Sequence, residues 1–182
     1  MKNDLLERQI SYEKAYDYSI INRIPILIKI NAVGFKKSTR NVEKPFCNKT
    51  SLAMNYAMLE SSKRIDSAVF SYTYSDKIYI ILWYPIPNDK QWLDNKIQKI
   101  SSRVSSMVTF HFFEYLAKSE EPPDLVLPVT FESIAVGIPN IAEVINSIIL
   151  AQQTCISKSV YELLKHNGFK KFNGKKLSER IN

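Results

Sequence analysis

The chain has 182 residues, 45% of them hydrophobic, and carries 25 lysines and arginines against 18 aspartates and glutamates. The resulting net charge of +7 favours polyanionic partners such as nucleotides or RNA, although a basic surface without such a partner gives the same balance. Four glycines are present, and their spacing matches neither G-x-G-x-x-G nor G-x-x-x-x-G-K-[ST], which excludes a dinucleotide fingerprint and a P-loop. The two histidines and two cysteines form no H-E-x-x-H, C-x-x-C or multi-thiolate zinc pattern.

No targeting or membrane segment is predicted. The stretch MKNDLLERQ contains acids and no long apolar run, so we expect no signal peptide. Apolar stretches such as 78–84 are too short to cross a bilayer, and the cysteines offer no disulfide framework. We therefore expect a single domain over residues 1–182 that is located in the cytoplasm and does not contact a membrane.

Hydrophobic spacing predicts alternating helices and strands. In chain order, the predicted elements are a helix at 4–20, a strand at 25–31, a helix capped by Thr50 and ending near Ser62, strands at 67–74 and 77–84, a helix at 92–116, an extended segment at 125–139 and a helix at 140–165. Ser75 and Asp76 join the two central strands and predict a tight hairpin. The polar stretch 36–49 predicts a loop, and residues 165–182 form a basic C-terminal segment.

The order β-α-β-β-α-β with flanking helices is typical of the ferredoxin-like (split βαβ) arrangement, an α+β fold. It predicts a palm-type antiparallel sheet of four strands with helices on one face, plus flanking helices. In that topology the end of the first strand and the central hairpin are neighbours. We therefore expect Asn31 to lie close to the Ser75–Asp76 turn, where any chemistry would be located.

Carboxylates at these two places hold divalent cations in polymerase palms and nucleotide cyclases, because two metals must bridge a triphosphate. Here the first strand offers Asn31 followed by Ala32, and the hairpin offers Asp76 followed by Lys77. A single carboxylate is a poor magnesium site, since hard cations prefer anionic oxygen ligands. Asp76 is equally well explained as an ordinary turn residue, which aspartate favours.

Several segments, taken in order, also carry a family pattern. The strand end at 29–35 is similar to Arg-Ile-Asp-Gly-Arg-Gly-Phe, the loop at 44–47 to Lys-Pro-Asn-Asp, and the hairpin at 74–77 to Gln-Ser-Asp-Glu. A lysine, serine and threonine series of a central helix has the same spacing as Lys99, Ser102, Ser106 and Thr109. Through these motifs the chain resembles, over nearly its whole length, the tRNA-histidine guanylyltransferase family, whose members add nucleotides in the 3′–5′ direction.

The resemblance implies that this end of the sheet binds a triphosphate. It makes Asp76 the remaining catalytic and metal-binding carboxylate, helped by the backbone carbonyl of Ile30. Nucleotide or phosphate contacts are implied for Asn31, Ala32, Val33, Gly34, Phe35, Lys44, Ser75, Lys77 and Lys99. Asn31 and Lys77 replace two acids of the family, and whether Glu132 or Asp66 supplies a substitute stays open.

We therefore expect a divergent family member that binds a nucleoside triphosphate (GTP or ATP), or the end of a tRNA or other RNA, and adds nucleotides weakly or not at all. Mg²⁺ would serve only residual addition, held by Asp76. Two alternatives stay open: a non-enzymatic nucleotide binder in which Lys77 replaces the metal, and an inactive subunit that pairs with an active partner. The resemblance also implies a homo-oligomer, either a dimer or a tetramer.

Overall fold

The computed structural model describes residues 2–84 and 91–168. Its elements in chain order are α1 (Lys2–Lys14), β1 (Ile26–Val33), α2 (Phe35–Ser38), α3 (Asn48–Ser62), β2 (Ala68–Tyr74), β3 (Lys77–Leu82), α4 (Ile97–Lys118), β4 (Thr130–Gly137) and α5 (Ile141–His166). A 3-10 turn at Trp92–Asn95 precedes α4. Most of the basic C-terminal segment expected at 165–182 lies outside the described residues.

The four strands form one antiparallel sheet in the order β2-β3-β1-β4. Its central strand β1 alternates between two faces, as the period of a strand requires. Ile26, Ile28 and Ile30 are fully or almost fully buried and belong to the main core. This topology confirms the predicted α+β, palm-type arrangement.

Helices α3 and α4 cover the face of the sheet that carries Ile28. The apolar stripe predicted for α4 is buried at Ile100, Val104, Val108 and Phe112. Each such side chain contributes about 1.5–3 kcal/mol when it leaves water. These two helices therefore supply the main core and hold β1 in place from one side.

Helix α5 lies on the opposite face and covers part of it. It begins where the side chain of Asn140 accepts a hydrogen bond from the backbone N–H of Glu143 at 3.0 Å. Val144 then packs against Leu27 and Ile81 in a second, smaller core. From there α5 passes over β3 and β2, which leaves part of the sheet uncovered. We call this uncovered part the open face, and it consists of Lys29, Asn31, Lys77, Glu132 and Ile134.

Several element boundaries differ from those predicted. The stretch 36–49 is not a continuous loop, because it contains most of α2 and the start of α3. Cys47 rather than Thr50 precedes α3, and the Thr50 hydroxyl donates to the Cys47 carbonyl at 3.0 Å from inside the helix. Helix α4 begins five residues later than predicted, since Leu93 and Asp94 have φ values of 52° and 54° that interrupt a helix.

The extended segment predicted at 125–139 forms a strand only over Thr130–Gly137. Within the described ranges, no helix has both the length and the hydropathy that crossing a membrane requires.

Candidate functional site

The end of β1 meets the β2–β3 turn, as predicted. The backbone N–H of Ala32 donates to the carbonyl of Asp76 at 2.8 Å. Its neighbour Asn31 is paired with Lys77 across the sheet. Ser75 occupies the turn with a φ of 53°, a conformation that few residues other than glycine adopt readily. Sheet pairing therefore places the two halves of the candidate site side by side.

Two rows of residues that include charged side chains cross the open face. In the first row, Asn31 lies between Lys77 on β3 and Glu132 on β4. In the next row, Lys29 lies between Tyr79 and Ile134. Residues opposite each other in antiparallel strands have Cβ atoms about 4.5–5.5 Å apart and point to the same face. Two ammonium groups, one amide and one carboxylate are thus collected on this surface.

The register also decides which carboxylate could substitute for a lost one. Glu132 is directly opposite Asn31 and is exposed. Asp66 precedes β2 at the other end of the sheet, where Ala68 pairs with Leu82. Glu132 is therefore a neighbour of the candidate site, and Asp66 is not.

The carboxylate of Asp76 is held against helix α5. Its side chain is 33% exposed, and the Nζ atom of Lys158 lies 3.8 Å from its Oδ1 atom. That Oδ1 atom is buried and has no hydrogen-bond partner. The same ammonium group lies 5.8 Å from the centre of the Tyr74 ring, within the range of a cation–π contact. Lys158 therefore contacts both the retained carboxylate and the hairpin beside it.

The rings of Tyr72, Tyr74 and Tyr79 lie close together on the part of the sheet that α5 covers. The rings of Tyr74 and Tyr79 are stacked with centroids 6.1 Å apart and planes inclined by 12°. Burial, together with the neighbouring Cys155 thiol, raises the pKa of Tyr72 to about 12. Burial and then the neighbouring Tyr79 raise the pKa of Tyr74 as well. Tyr72 and Tyr74 are therefore uncharged at neutral pH and act as packing groups.

The four residues after Asn31 differ in their exposure and in what they contact. Ala32 is buried on the helix-covered face, whereas Val33 is exposed at the end of β1. Gly34 has a φ of 67°, and its carbonyl accepts the backbone N–H of Lys37 at 2.9 Å. Phe35 packs against the main core. The turn thus exposes Val33 and Gly34, while Ala32 and Phe35 contribute to the fold.

The other two lysines expected to bind phosphate, Lys44 and Lys99, are not on the sheet. Lys44 is exposed, and its ammonium group donates to the carbonyl of Thr39 at 2.8 Å, just after α2. Lys99 is exposed in the first turn of α4. That turn lies on the helix-covered face of the sheet, because the hydroxyl of Ser133 on β4 donates to the carbonyl of Ser101 at 2.6 Å. Lys99 therefore belongs to a helix that covers the face opposite to the open face.

The residues at this place do not fit a two-metal centre. In the part of the chain that the structure describes, no three His, Cys, Asp or Glu side chains form a group that could hold a metal ion. Glu132 lies two strands from Lys77, which is about 10 Å. Ile30 lies inside both β-ladders, so its carbonyl belongs to the sheet. The remaining carboxylate, Asp76, already faces the ammonium group of Lys158.

Sequence reasoning did not identify two of the charged residues at the site. Lys29 is two positions before Asn31, so the two-residue period of a strand could have placed both on the same face. Lys158 reaches Asp76 only because α5 crosses the sheet, and its spacing along the chain carries no such signal.

These features define the class of the protein. An antiparallel β2-β3-β1-β4 sheet, two helices on one face and a polar cluster where β1 meets the hairpin are the features of a palm-type domain. The family model for tRNAHis guanylyltransferase (Thg1) matches residues 7–139, which is most of the chain. The chain therefore belongs to the Thg1 family.

Solved structures agree with this assignment. A bacterial tRNA(His) guanylyltransferase (Thg1)-like protein in complex with GTP has 28% identity and a TM-score of 0.82, with 89% of this chain and 76% of that chain covered. A bacterial Thg1-like protein in complex with ATP has 28% identity and a TM-score of 0.85, with 98% and 77% covered. The tRNA(His) guanylyltransferase of Saccharomyces cerevisiae is similar in fold, with 16% identity, a TM-score of 0.69 and coverage of 93% and 76%. The search among curated proteins found no match.

Proposed function

We propose that the open face binds a nucleoside triphosphate, or the phosphorylated end of an RNA, and that nucleotide addition at this site is weak or lost. Asn31 is the cross-strand partner of Lys77 at the position where β1 meets the hairpin, and this pairing carries the proposal. A cation and a neutral amide favour a phosphate at this position, whereas a metal pair would need anionic oxygen ligands.

The chemistry of the pair supports binding more than transfer. Lys29 and Lys77 lie on the same face, with Asn31 adjacent to both, so their ammonium groups can donate charge-assisted hydrogen bonds to one phosphate chain. Addition of a nucleotide needs stabilisation of both the attacking and the leaving oxygen, which two bridging metals supply. Because Asp76 is a single carboxylate and cannot hold two metals, the charge on the attacking or the leaving oxygen would stay uncompensated. Mg²⁺ is accordingly a weak requirement for the binding that we propose.

The choice of ligand rests on the family and on the solved relatives. The bacterial relatives were solved in complex with GTP and with ATP. GTP and ATP are therefore the first ligands to test, and a tRNA end is the RNA substrate that the family suggests. We further propose that residues 1–182 form one palm-type domain, within which Asn31, Ser75, Lys77 and the turn at Gly34 contact the nucleotide.

The decisive experiment measures the affinity for GTP and ATP with Mg²⁺ and again with EDTA. We expect the affinity to change by less than about tenfold, because the lysines rather than a metal hold the phosphates. A parallel assay with labelled GTP, Mg²⁺ and a 5′-activated tRNA should show slow or no addition. Efficient addition that Asp76→Ala abolishes would overturn the proposal, and so would the absence of any nucleotide or RNA binding.

A further inference from the structure

Lys158 on helix α5 lies next to Asp76, the one carboxylate retained at the hairpin. We infer that Lys158 is a positioning residue that serves as the built-in counter-cation of Asp76, and that it keeps divalent metal away from the site. This inference rests on the proposed function, because it explains how nucleotide binding at the open face becomes independent of metal. It concerns a residue on α5, outside the strand and hairpin that carry the other charged groups.

The buried part of the Asp76 carboxylate needs a compensating positive charge. Its Oδ1 atom is buried and without a hydrogen-bond partner, and a buried charged oxygen is unfavourable unless a counter-charge compensates it. Lys158 supplies that charge from 3.8 Å. At this distance the two charges attract each other, and solvent screens the attraction because both side chains are partly exposed.

Lys158 is held in place by more than this ion pair. Its ammonium group also lies over the Tyr74 ring, at 5.8 Å from the centroid. Upstream on the same helix, Cys155 neighbours Tyr72, and Val144 packs against Leu27 and Ile81. These contacts fix the helix along the sheet, so that its later turns bring Lys158 above the hairpin. The path of the helix therefore brings Lys158 above the hairpin, and its half-exposed side chain extends to Asp76.

A divalent metal would have to compete with Lys158 for the same oxygen. Because an ammonium group and Mg²⁺ at one carboxylate repel each other, the metal can bind Asp76 only if Lys158 withdraws. Removal of the Lys158 charge, with the apolar stem kept, should therefore raise the affinity of Asp76 for a divalent metal.

The test uses the full chain with Lys158→Met, and Mn²⁺ alone as the probe, followed by electron paramagnetic resonance. We expect Mn²⁺ to bind this variant about tenfold more tightly than it binds the natural chain, a modest factor because both groups are partly exposed and screened. GTP affinity should at the same time become dependent on metal. Lys158→Arg retains the charge and should behave as the natural chain.

Lys165→Met is the matched control, because Lys165 is exposed on the same helix beyond Lys158. It should leave Mn²⁺ binding unchanged. If Lys158→Met does not fold, as judged by circular dichroism, Lys158→Gln replaces it in the same measurement. Equal Mn²⁺ affinity for a folded neutral variant and the natural chain would overturn the inference. Failure of every variant to bind GTP would overturn the proposed function instead, and the Mn²⁺ measurement would still decide the role of Lys158.

Discussion

The backbone N–H of Ala32 donates to the backbone carbonyl of Asp76 at 2.8 Å, and this bond ties the end of β1 to the β2–β3 turn. Only main-chain atoms take part, so the two segments stay adjacent whatever side chains they carry. Asn31 and Lys77, the neighbours of the bonded residues, are paired by the same ladder. Their charge can therefore change while the geometry of the site is preserved, and ligand binding and folding can be tested separately.

Lys77→Glu should weaken GTP binding by about tenfold or more, because a charge-assisted hydrogen bond contributes roughly 1.5–3 kcal/mol and the new carboxylate repels phosphate. Isothermal titration calorimetry in EDTA would measure the change. Lys14→Glu on α1 makes the same change in net charge at an exposed position and should leave the affinity nearly unaltered. Equal affinities for the two variants would refute a role for Lys77 in phosphate binding.

Gly34→Ala should destabilise the turn after β1 by about 1 kcal/mol, which corresponds to a fall in Tm of about 2–4 °C. The cost arises from the backbone, since Gly34 has a φ of 67° and a Cβ atom there would meet nothing within 4 Å. Asparagine adopts this conformation more readily, so Gly34→Asn should lose less stability. Thermal unfolding of the two variants would compare them, and an equal or greater loss for Gly34→Asn would contradict the backbone explanation.

Phe112→Ala should reduce the free energy of unfolding by about 3–5 kcal/mol, the usual cost of a large cavity in a core. Phe112 is 0% exposed and contacts Phe131 edge to face, with ring centroids 5.5 Å apart. Phe110 lies on the same helix but is 62% exposed. Phe110→Ala should therefore stay within about 0.5 kcal/mol of the natural chain in urea denaturation. Similar losses for the two variants would show that α4 packs differently.

Glu114→Gln should lower Tm at neutral pH, and the difference from the natural chain should disappear in acid. Hydrogen bonds from Lys118 and then His111 lower the pKa of Glu114 from 4.5 to about 2. Because the pKa is lower in the folded state, this carboxylate stabilises the fold above pH 4.5, and its contribution is lost as the pH falls toward 2. Melting curves of both proteins between pH 7 and pH 2 would reveal the convergence. A Tm difference that stayed constant over this range would exclude the ionic contribution.

Most of the fold could be predicted from the sequence because its signals are local. The short apolar run of β1, the Ser75–Asp76 hairpin and the three- and four-residue spacing of the α4 core positions each depend on neighbours along the chain. Their order then leaves few topologies, and the predicted proximity of Asn31 to the hairpin is confirmed. Local signals failed at the start of α4, where positive φ values at Leu93 and Asp94 end the preceding turn.

The candidate site was less predictable, because its composition depends on which elements pack together. The pairing of Glu132 with Asn31 requires the register of β4, and the contact of Lys158 with Asp76 requires the path of α5 across the sheet. Lys99 shows the opposite case. Its spacing agrees with a family motif, but α4 packs on the face of the sheet opposite to the open face.

Helix α5 also forms a side wall along the open face. Between this wall and the edge strand β4, the floor is two strands wide, which is about 10 Å. A duplex is wider than this, because its two backbones lie on either side of the stacked base pairs. A triphosphate or an unpaired single strand can lie along this surface, whereas a base-paired stem is too wide to enter it. We therefore expect α5 to keep base-paired ends away from Asn31 by shape alone, without contacting any base.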